Sequence, residues 1–373
     1  MIAWLASRDI RFLLWIVDWA VGPRMLPEAQ AKGYLTTAEF PSQPGAGLID
    51  LSNPEAEAWW QDALGVRIAD GLAGFKCDRG EEKEPDGLVV TGSYHDGTSF
   101  REGRNVNPVW YARAVRGALD RAGAAESVTI FRTAWAGSQR YAMIWAGDTD
   151  ASEWGLRSAI IGLLRSAAMA FPLWGSDTCG YSGNPTHETC MRWLAFSAFT
   201  PLMEVGPTYS FAPWAWPEAG GKPYDESLIA AWILYARLHD DLRDYSYAQA
   251  RKAHVDGTMF VRPLVFSYPE RPEYRDVFDE YLYGPDILVA PVWRNGVTRR
   301  DVHVPPGAWL DAWTRVRVTG PQVVSVDTPE HLIPVFVRDG SGIDLGDLPA
   351  RWEAALETAR TPPDLASLAA GVK

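Results

Sequence analysis

The sequence predicts an α/β fold: an incomplete (β/α)8 TIM barrel followed by an all-β sandwich domain. Three observations predict it. Short apolar runs alternate with helical patterns over the first 250 or so residues, as βα units of a parallel sheet do. Polar residues fall repeatedly at the C-terminal ends of those runs, at Asp78, Arg132, Asp148 and Asp177. In a (β/α)8 barrel those ends converge on one face, and catalytic groups sit there. After His254 the texture changes to short β-type runs parted by Pro and Gly. Residues 1–255 are read as the partial barrel, 256–345 as the sandwich and 346–373 as a weakly structured tail.

The first run is Phe12-Leu13-Leu14-Trp15-Ile16-Val17, ending at Asp18. Asn53-Pro54 opens a helix, with Asn as cap and Pro in the first turn, and Trp59, Trp60 and Leu64 lie on one side of it. Residues 73–77 form a short strand ending at Asp78. The polar stretch 81–107 reads as a long loop, and a helix is expected over 108–122. The strand Val128-Thr129-Ile130-Phe131 ends at Arg132, and residues 141–145 lead to Gly147-Asp148. A helix over 153–170 is apolar on most sides, so it should be well covered. Residues 171–174 lead to Asp177; helices over 186–199 and 225–242 flank the run 201–204. About six barrel-type strands can be counted, against the eight of a closed barrel. The β-type runs 257–266, 281–293, 302–304, 323–326 and 332–337 make the second domain, and one helix is expected near 351–359 in the tail.

Composition narrows the function. The net charge of −12 argues against nucleic-acid and anionic-membrane partners, which need a basic surface. A small neutral or modestly charged ligand fits better. Of 373 residues, 18 are Trp. Indoles fill cores, and they also stack on the apolar C–H faces of sugar rings; both uses stay open for any single Trp. Three cysteines without CxxC and six histidines without HExxH leave no zinc ribbon, thioredoxin motif or catalytic metal site, and no cofactor is implied. No segment reaches the apolar length of a membrane span. Charge arrives at Arg8 and Asp9, too early for a secretory signal, so a cytoplasmic location is expected.

Two strand-end acids with an Arg from a neighbouring strand suit glycosidic bond cleavage. One carboxylate attacks the anomeric carbon, and a second, protonated carboxyl donates to the leaving oxygen. Lys76 precedes Asp78 by two residues, so both side chains leave the strand on the same side. The fork of Arg132 can hold a hydroxyl or a carboxylate. A strand-end Asp also serves often as a helix cap or ion-pair partner.

These residues resemble glycoside hydrolase family 31. Gly74-Phe75-Lys76-Cys77-Asp78-Arg79-Gly80-Glu81 is similar to that family's nucleophile motif, in the FKxDxGE form of its α-xylosidase and sulfoquinovosidase branches rather than the WxDMNE form of many α-glucosidases. Arg132, residues 136–141 and Trp145-Ala146-Gly147-Asp148 resemble its acid/base segment, and the family's sixteen-residue interval separates Arg132 from Asp148. Residues 174–181, with Glu188 and Arg192-Trp193, resemble the next strand and helix; residues 257–264 and 283–292 resemble the start of its C-terminal domain. The resemblance implies Asp78 as nucleophile and Asp148 as acid/base, with Trp15, Lys76, Arg132, Trp145 and Asp177 binding a small carbohydrate. It implies a retaining exo-acting α-glycosidase, α-glucosidase-like, with an α-xylosidase, sulfoquinovosidase or α-galactosidase as alternatives. A non-catalytic, sugar-binding remnant is a further alternative, since the first strand resembles the family's third and nothing corresponds to its N-terminal sandwich or first two barrel strands. Many members carry a His after the last barrel strand, where this chain has Gly206. Cys179 and Cys190 match the spacing of a bridged pair in lysosomal and intestinal α-glucosidases; for a cytoplasmic chain two buried free thiols are expected instead.

Overall fold

In a computed structural model of the chain, residues 1–36, 45–80, 92–206 and 226–361 are described. They belong to two compact units, Met1–Trp145 and Ala146–Lys373. Residues 81–91 at the start of the polar stretch, Asp225 and the end of the tail lie outside the described residues.

The first unit contains α1 (Ile2–Ala6), β1 (Leu13–Ile16), β2 (Trp19–Val21), α2 (Gly22–Lys32), β3 (Ala46–Leu48), α3 (Pro54–Ile68), β4 (Gly74–Cys77), α4 (Phe100–Arg121), β5 (Val128–Phe131) and β6 (Met143–Trp145). Strands β1, β4, β5 and β6 run parallel in that order, with Trp15 beside Lys76, Lys76 beside Ile130 and Ile130 beside Met143. Strand side chains alternate between faces. Phe75, Cys77 and Phe131 therefore point one way, and all three are fully buried. Tyr111 of α4 meets Phe131 edge-on at 4.8 Å, and Trp60 of α3 lies 5.6 Å from Tyr111. The other face carries Trp15, Lys76 and, one step beyond, Asp78, Arg132 and Trp145.

Both helices of this layer start at built caps. Asn53 accepts the amide of Glu55 at the head of α3. Ser99 accepts the amide of Glu102 and donates its hydroxyl to the Glu102 carboxylate. That capping box starts α4 at Phe100, well before the expected 108, and leaves Pro108 inside the helix.

The second unit contains α5 (Glu153–Ala168), β7 (Trp174–Asp177), α6 (His187–Ser197), β8 (Leu202–Glu204), α7 (Glu226–Asp241), α8 (Arg243–Asp256), β9 (Val261–Pro263), α9 (Leu264–Ser267), β10 (Tyr281–Tyr283), β11 (Ile287–Val289), β12 (Arg299–Asp311), β13 (Arg317–Asp327), β14 (Val335–Arg338) and α10 (Leu348–Arg360). Strands β7 and β8 pair in parallel. With the four of the first unit they make the six parallel strands of an incomplete (β/α)8 barrel. The C-terminal module is a six-stranded antiparallel sheet in the order β13-β12-β14-β11-β10-β9. Its core gathers Leu264, Leu282, Leu288, Val302, Trp309 and Phe336.

Three expectations are corrected here. Residues 264–267 turn as the short helix α9 where a β run was expected. Helix α8 was not foreseen; it buries no residue, so it carries no apolar stripe to read. Cys179 and Cys190 are bridged rather than free. Cys179 takes a left-handed φ of 72°, which turns the chain after β7 back over α6 and brings the two Cα atoms to 4.5 Å.

Candidate active site

Asp78 stands one residue past β4. Its amide donates to Ile16 O at 2.8 Å, and the amide of Arg132 donates to Cys77 O at 3.0 Å, so the parallel ladder continues one rung beyond the strands. That rung fixes both side chains at the same level of the sheet. The carboxylate then collects donors. Trp15 Nε1 donates to Oδ2 at 3.1 Å, and the amide of Arg79 donates to Oδ1 at 2.9 Å. Arg132 Nη1 lies 3.1 Å from Oδ1 in a largely buried ion pair, with 15% and 17% of the two side chains exposed. Such charge-assisted contacts are the stronger kind. The Trp15 ring itself remains 56% exposed. Lys76 Nζ lies 4.4 Å from the centre of the Trp145 ring, a cation–π distance.

The chain leaves Asp78 through two residues of left-handed backbone, Arg79 at φ 64° and Gly80 at φ 88°. Glycine is required at the second, because a Cβ there would stand 2.7 Å from Thr133 Cγ2. Buried groups brace this turn from behind. Asn107 Nδ2 donates to Gly80 O at 3.1 Å and to Asp18 Oδ2 at 2.8 Å. Asn107 is 2% exposed and Asp18 fully buried. Tyr111 Oη, fully buried, donates toward Ile16 O at 3.2 Å and Asp78 O at 3.3 Å. Burial pushes the Cys77 thiol and the Tyr111 phenol well up from their ordinary values. The braces Asn107 and Tyr111 were not singled out from sequence; the available signal was an Asn-Pro pair inside a helical run. Asp18 was visible only as a strand-end acid.

In the second unit, Asp148 is exposed on the turn that leaves β6, where Gly147 takes φ 75° and Thr149 N donates to Gly147 O at 2.9 Å. The amides of Ala151 and Tyr181 tie this turn to the segment after β7, through Ser182 O and Thr149 O, each at 2.8 Å. Asp177 is the last residue of β7, 1% exposed and in register with Glu204 of β8. Its neighbour Ser176 points the opposite way and accepts Trp193 Nε1 of α6 at 3.0 Å. Gly206 lies directly against the Asp177 carboxylate: a Cβ on it would stand 2.2 Å from Oδ1.

Arg192 of α6, 3% exposed, ties this helix to the C-terminal module. Its Nη1 donates to Pro329 O and Leu332 O, and its Nη2 to Val297 O, Thr328 O and Glu188 Oε1. Among the described residues no cluster of His, Cys, Asp and Glu suited to a metal ion occurs. No described helix is long and apolar enough to cross a membrane.

The fold and these strand-end groups define a glycoside hydrolase of the barrel class. The model of the glycosyl hydrolases family 31 TIM-barrel domain matches residues 1–249, and that of the family's C-terminal domain matches residues 257–343; the chain belongs to this family. It is 33% identical over 305 residues to a 1,3-alpha-isomaltosidase of Kribbella flavida, covering 79% of this chain and 41% of that protein. It is 30% identical over 368 residues to a sulfoquinovosidase of Agrobacterium fabrum, covering 91% and 53%. The cycloalternan-degrading enzyme of Trueperella pyogenes, solved with a covalent intermediate, superposes with a TM-score of 0.83 at 28% identity, over 91% of this chain and 49% of that one. The chain thus spans about half the length of the curated relatives it matches.

Proposed function

We propose that this chain carries the catalytic machinery of a retaining, exo-acting α-glycosidase that removes a terminal α-linked sugar, α-glucosidase-like in kind. The observation that carries the reading is the Asp78 carboxylate, held at a strand end by Trp15, Arg132 and the Arg79 amide. A carboxylate oriented by fixed donors is what in-line attack needs. In the first step an Asp78 oxygen bonds to the anomeric carbon as the bond to the leaving oxygen breaks. Asp148 gives that oxygen its proton. In the second step Asp148 takes a proton from water, whose oxygen displaces Asp78 and returns it as carboxylate. Such a pair works with its carboxyl groups about 5 Å apart. Trp15, Lys76, Arg132, Trp145 and Asp177 bind the sugar; the open Trp15 ring supplies an apolar face beside the attacking oxygen. No cofactor takes part.

The Asp78→Ala variant tests the assignment. It should lose turnover of aryl α-glycosides by at least about 10⁴-fold, and azide should restore product release as a β-glycosyl azide. Near-normal turnover would remove Asp78 from the mechanism, and sugar binding by an unmodified chain that turns nothing over would favour a non-catalytic role. A second reading of the substrate is favoured by Gly206. The space of a side chain at 206 is filled by the Asp177 carboxylate, so no imidazole contact to a sugar hydroxyl arises there, and the FKxDxGE form of the Asp78 motif supports an α-xylosidase or sulfoquinovosidase instead. A panel of aryl α-glycosides separates these by kcat/KM.

A further inference from the structure

Away from the barrel residues, the second unit has a cleft of about 310 Å3 lined by Asp279, Glu280, Trp293, Arg300, Asp301 and His303. Its floor is rigid. Glu280, 1% exposed, accepts Arg300 Nη2 and the His303 amide, each at 2.9 Å, and pairs with His303 Nδ1 at 3.1 Å. Asp279 accepts Arg300 Nη2 at 3.3 Å on Oδ1 and Trp293 Nε1 at 3.1 Å on Oδ2. An ionised carboxylate has about four acceptor positions, so each Asp279 oxygen keeps capacity for a hydroxyl. Asp301 is exposed at the rim.

An aromatic shelf borders the cleft. The Trp154 ring lies 5.6 Å from that of Trp293, and Phe278 lies 6.4 Å from Trp293 on another side. Trp154 is 56% exposed and Phe278 36%. The Arg157 guanidinium sits 4.6 Å from the Phe278 ring and 5.5 Å from the Trp293 ring, which stiffens the shelf. The lining sets the carboxylates of Asp279, Glu280 and Asp301 beside the cations Arg294 and Arg300 and the His303 ring, so neither sign of charge dominates. What fits is a neutral ligand with an apolar face and many hydroxyls, in a cleft at the small end of ligand-site volumes.

We infer that this cleft is a second carbohydrate-binding site, which holds pyranose rings of a glucan by stacking on Trp154 and by hydrogen bonds to Asp279 and Asp301. It does no chemistry; it keeps a polymeric or oligomeric substrate on the protein. The choice of an α-glucan rests on the proposed function, whereas the cleft's preference for a sugar ring does not.

The test is affinity electrophoresis in native gels containing soluble starch, dextran or hydroxyethylcellulose. The Asp78→Ala chain is used so that the polymer survives. Starch or dextran should retard it, and adding Trp154→Ala or Asp301→Asn should weaken the apparent affinity by about fivefold or more. Both positions are exposed, and unchanged melting temperatures confirm that each variant folds. In the otherwise unmodified chain, Trp154→Ala should leave hydrolysis of small aryl glycosides unchanged. Retardation by hydroxyethylcellulose alone, still lost on Trp154→Ala, would keep the sugar site and overturn its assignment to an α-glucan. No retardation by any polymer, or retardation untouched by both substitutions, would overturn the site.

Discussion

Replacing Gly206 with alanine should damage both activity and stability. The new Cβ would stand 2.2 Å from Asp177 Oδ1 and 2.8 Å from its Cγ, and atoms of this kind do not approach below about 3.0 Å. The carboxylate must therefore retreat by about 0.8 Å. It is the movable partner: the Asp177 backbone is fixed in β7 by its register with Glu204 and by the 2.8 Å bond from Thr178 N to Glu204 O. Overpacking of this size costs about 1–3 kcal/mol, which lowers Tm by roughly 2–10 °C for a unit of this length. A shift approaching 1 Å in a substrate-positioning group costs on the order of 100-fold in rate. We therefore expect kcat/KM for the best aryl α-glycoside to fall about 10- to 100-fold in Gly206→Ala. Steady-state kinetics beside a thermal melt read both quantities. The same substitution in an Asp177→Ala background should cost almost nothing further, because the group it displaces is gone. Wild-type kcat/KM in Gly206→Ala would refute the reasoning, since a displaced Asp177 carboxylate would then be irrelevant to the sugar.

Other outcomes follow from single groups. Arg192→Met strands four carbonyls and Glu188, so it should cost about 3–5 kcal/mol and lower Tm by roughly 10 °C; a melt within about 2 °C of wild type would show that the clamp carries no stability. Cys77, fully buried with its thiol pushed up by desolvation, should resist a thiol reagent at pH 8 in the folded chain and react at once in guanidinium chloride; rapid labelling of the native chain would contradict its burial. His303 has its pKa raised from an ordinary 6.5, first by its hydrogen bond to Glu280, so the protonated ring stabilises the fold below about pH 6.5 and that contribution is lost as pH rises through the raised value. His303→Asn should flatten that decline in a series of melts from pH 6 to 8, and an unchanged slope would remove the pair from the pH response.

Much of the barrel was legible because its signals are local. An apolar run of four residues closed by a polar one marks a parallel strand and its functional end together, and β4 with Asp78 and β5 with Arg132 were read that way. The helices with caps or apolar stripes, α3, α5, α6 and α7, were legible for the same reason. Helix α8 was not, since a helix that buries nothing leaves propensity as its only signature. The long hairpin β12–β13 was seen only as residues 302–304 and 323–326, because most β13 positions face solvent and the strand is set by thirteen- and eleven-residue pairing partners rather than by its own apolar pattern.

The site divides along the same line. Trp15, Asp78 and Arg132 meet because three neighbouring strands are in register, and period-two alternation carries them to one face. Sequence spacing contains that information. The bracing of Asp78 does not arise from spacing. Asn107 and Tyr111 come from helix α4, and their partners Asp18, Ile16 and Gly80 are reached only after α4 has packed on the sheet. A mid-helix asparagine has no local reason to be there: it forms no cap, and burial without partners would cost several kcal/mol. Its presence beside Pro108, inside a helix that buries it, is explained by the turn it holds. Polar residues that local rules disfavour are thus where the second layer of this site should be sought, and Asn107→Leu, which keeps the branching at Cγ but removes both donations, should lower kcat more than it raises KM. An unchanged kcat in that variant would mean that the Arg79–Gly80 turn holds Asp78 without help.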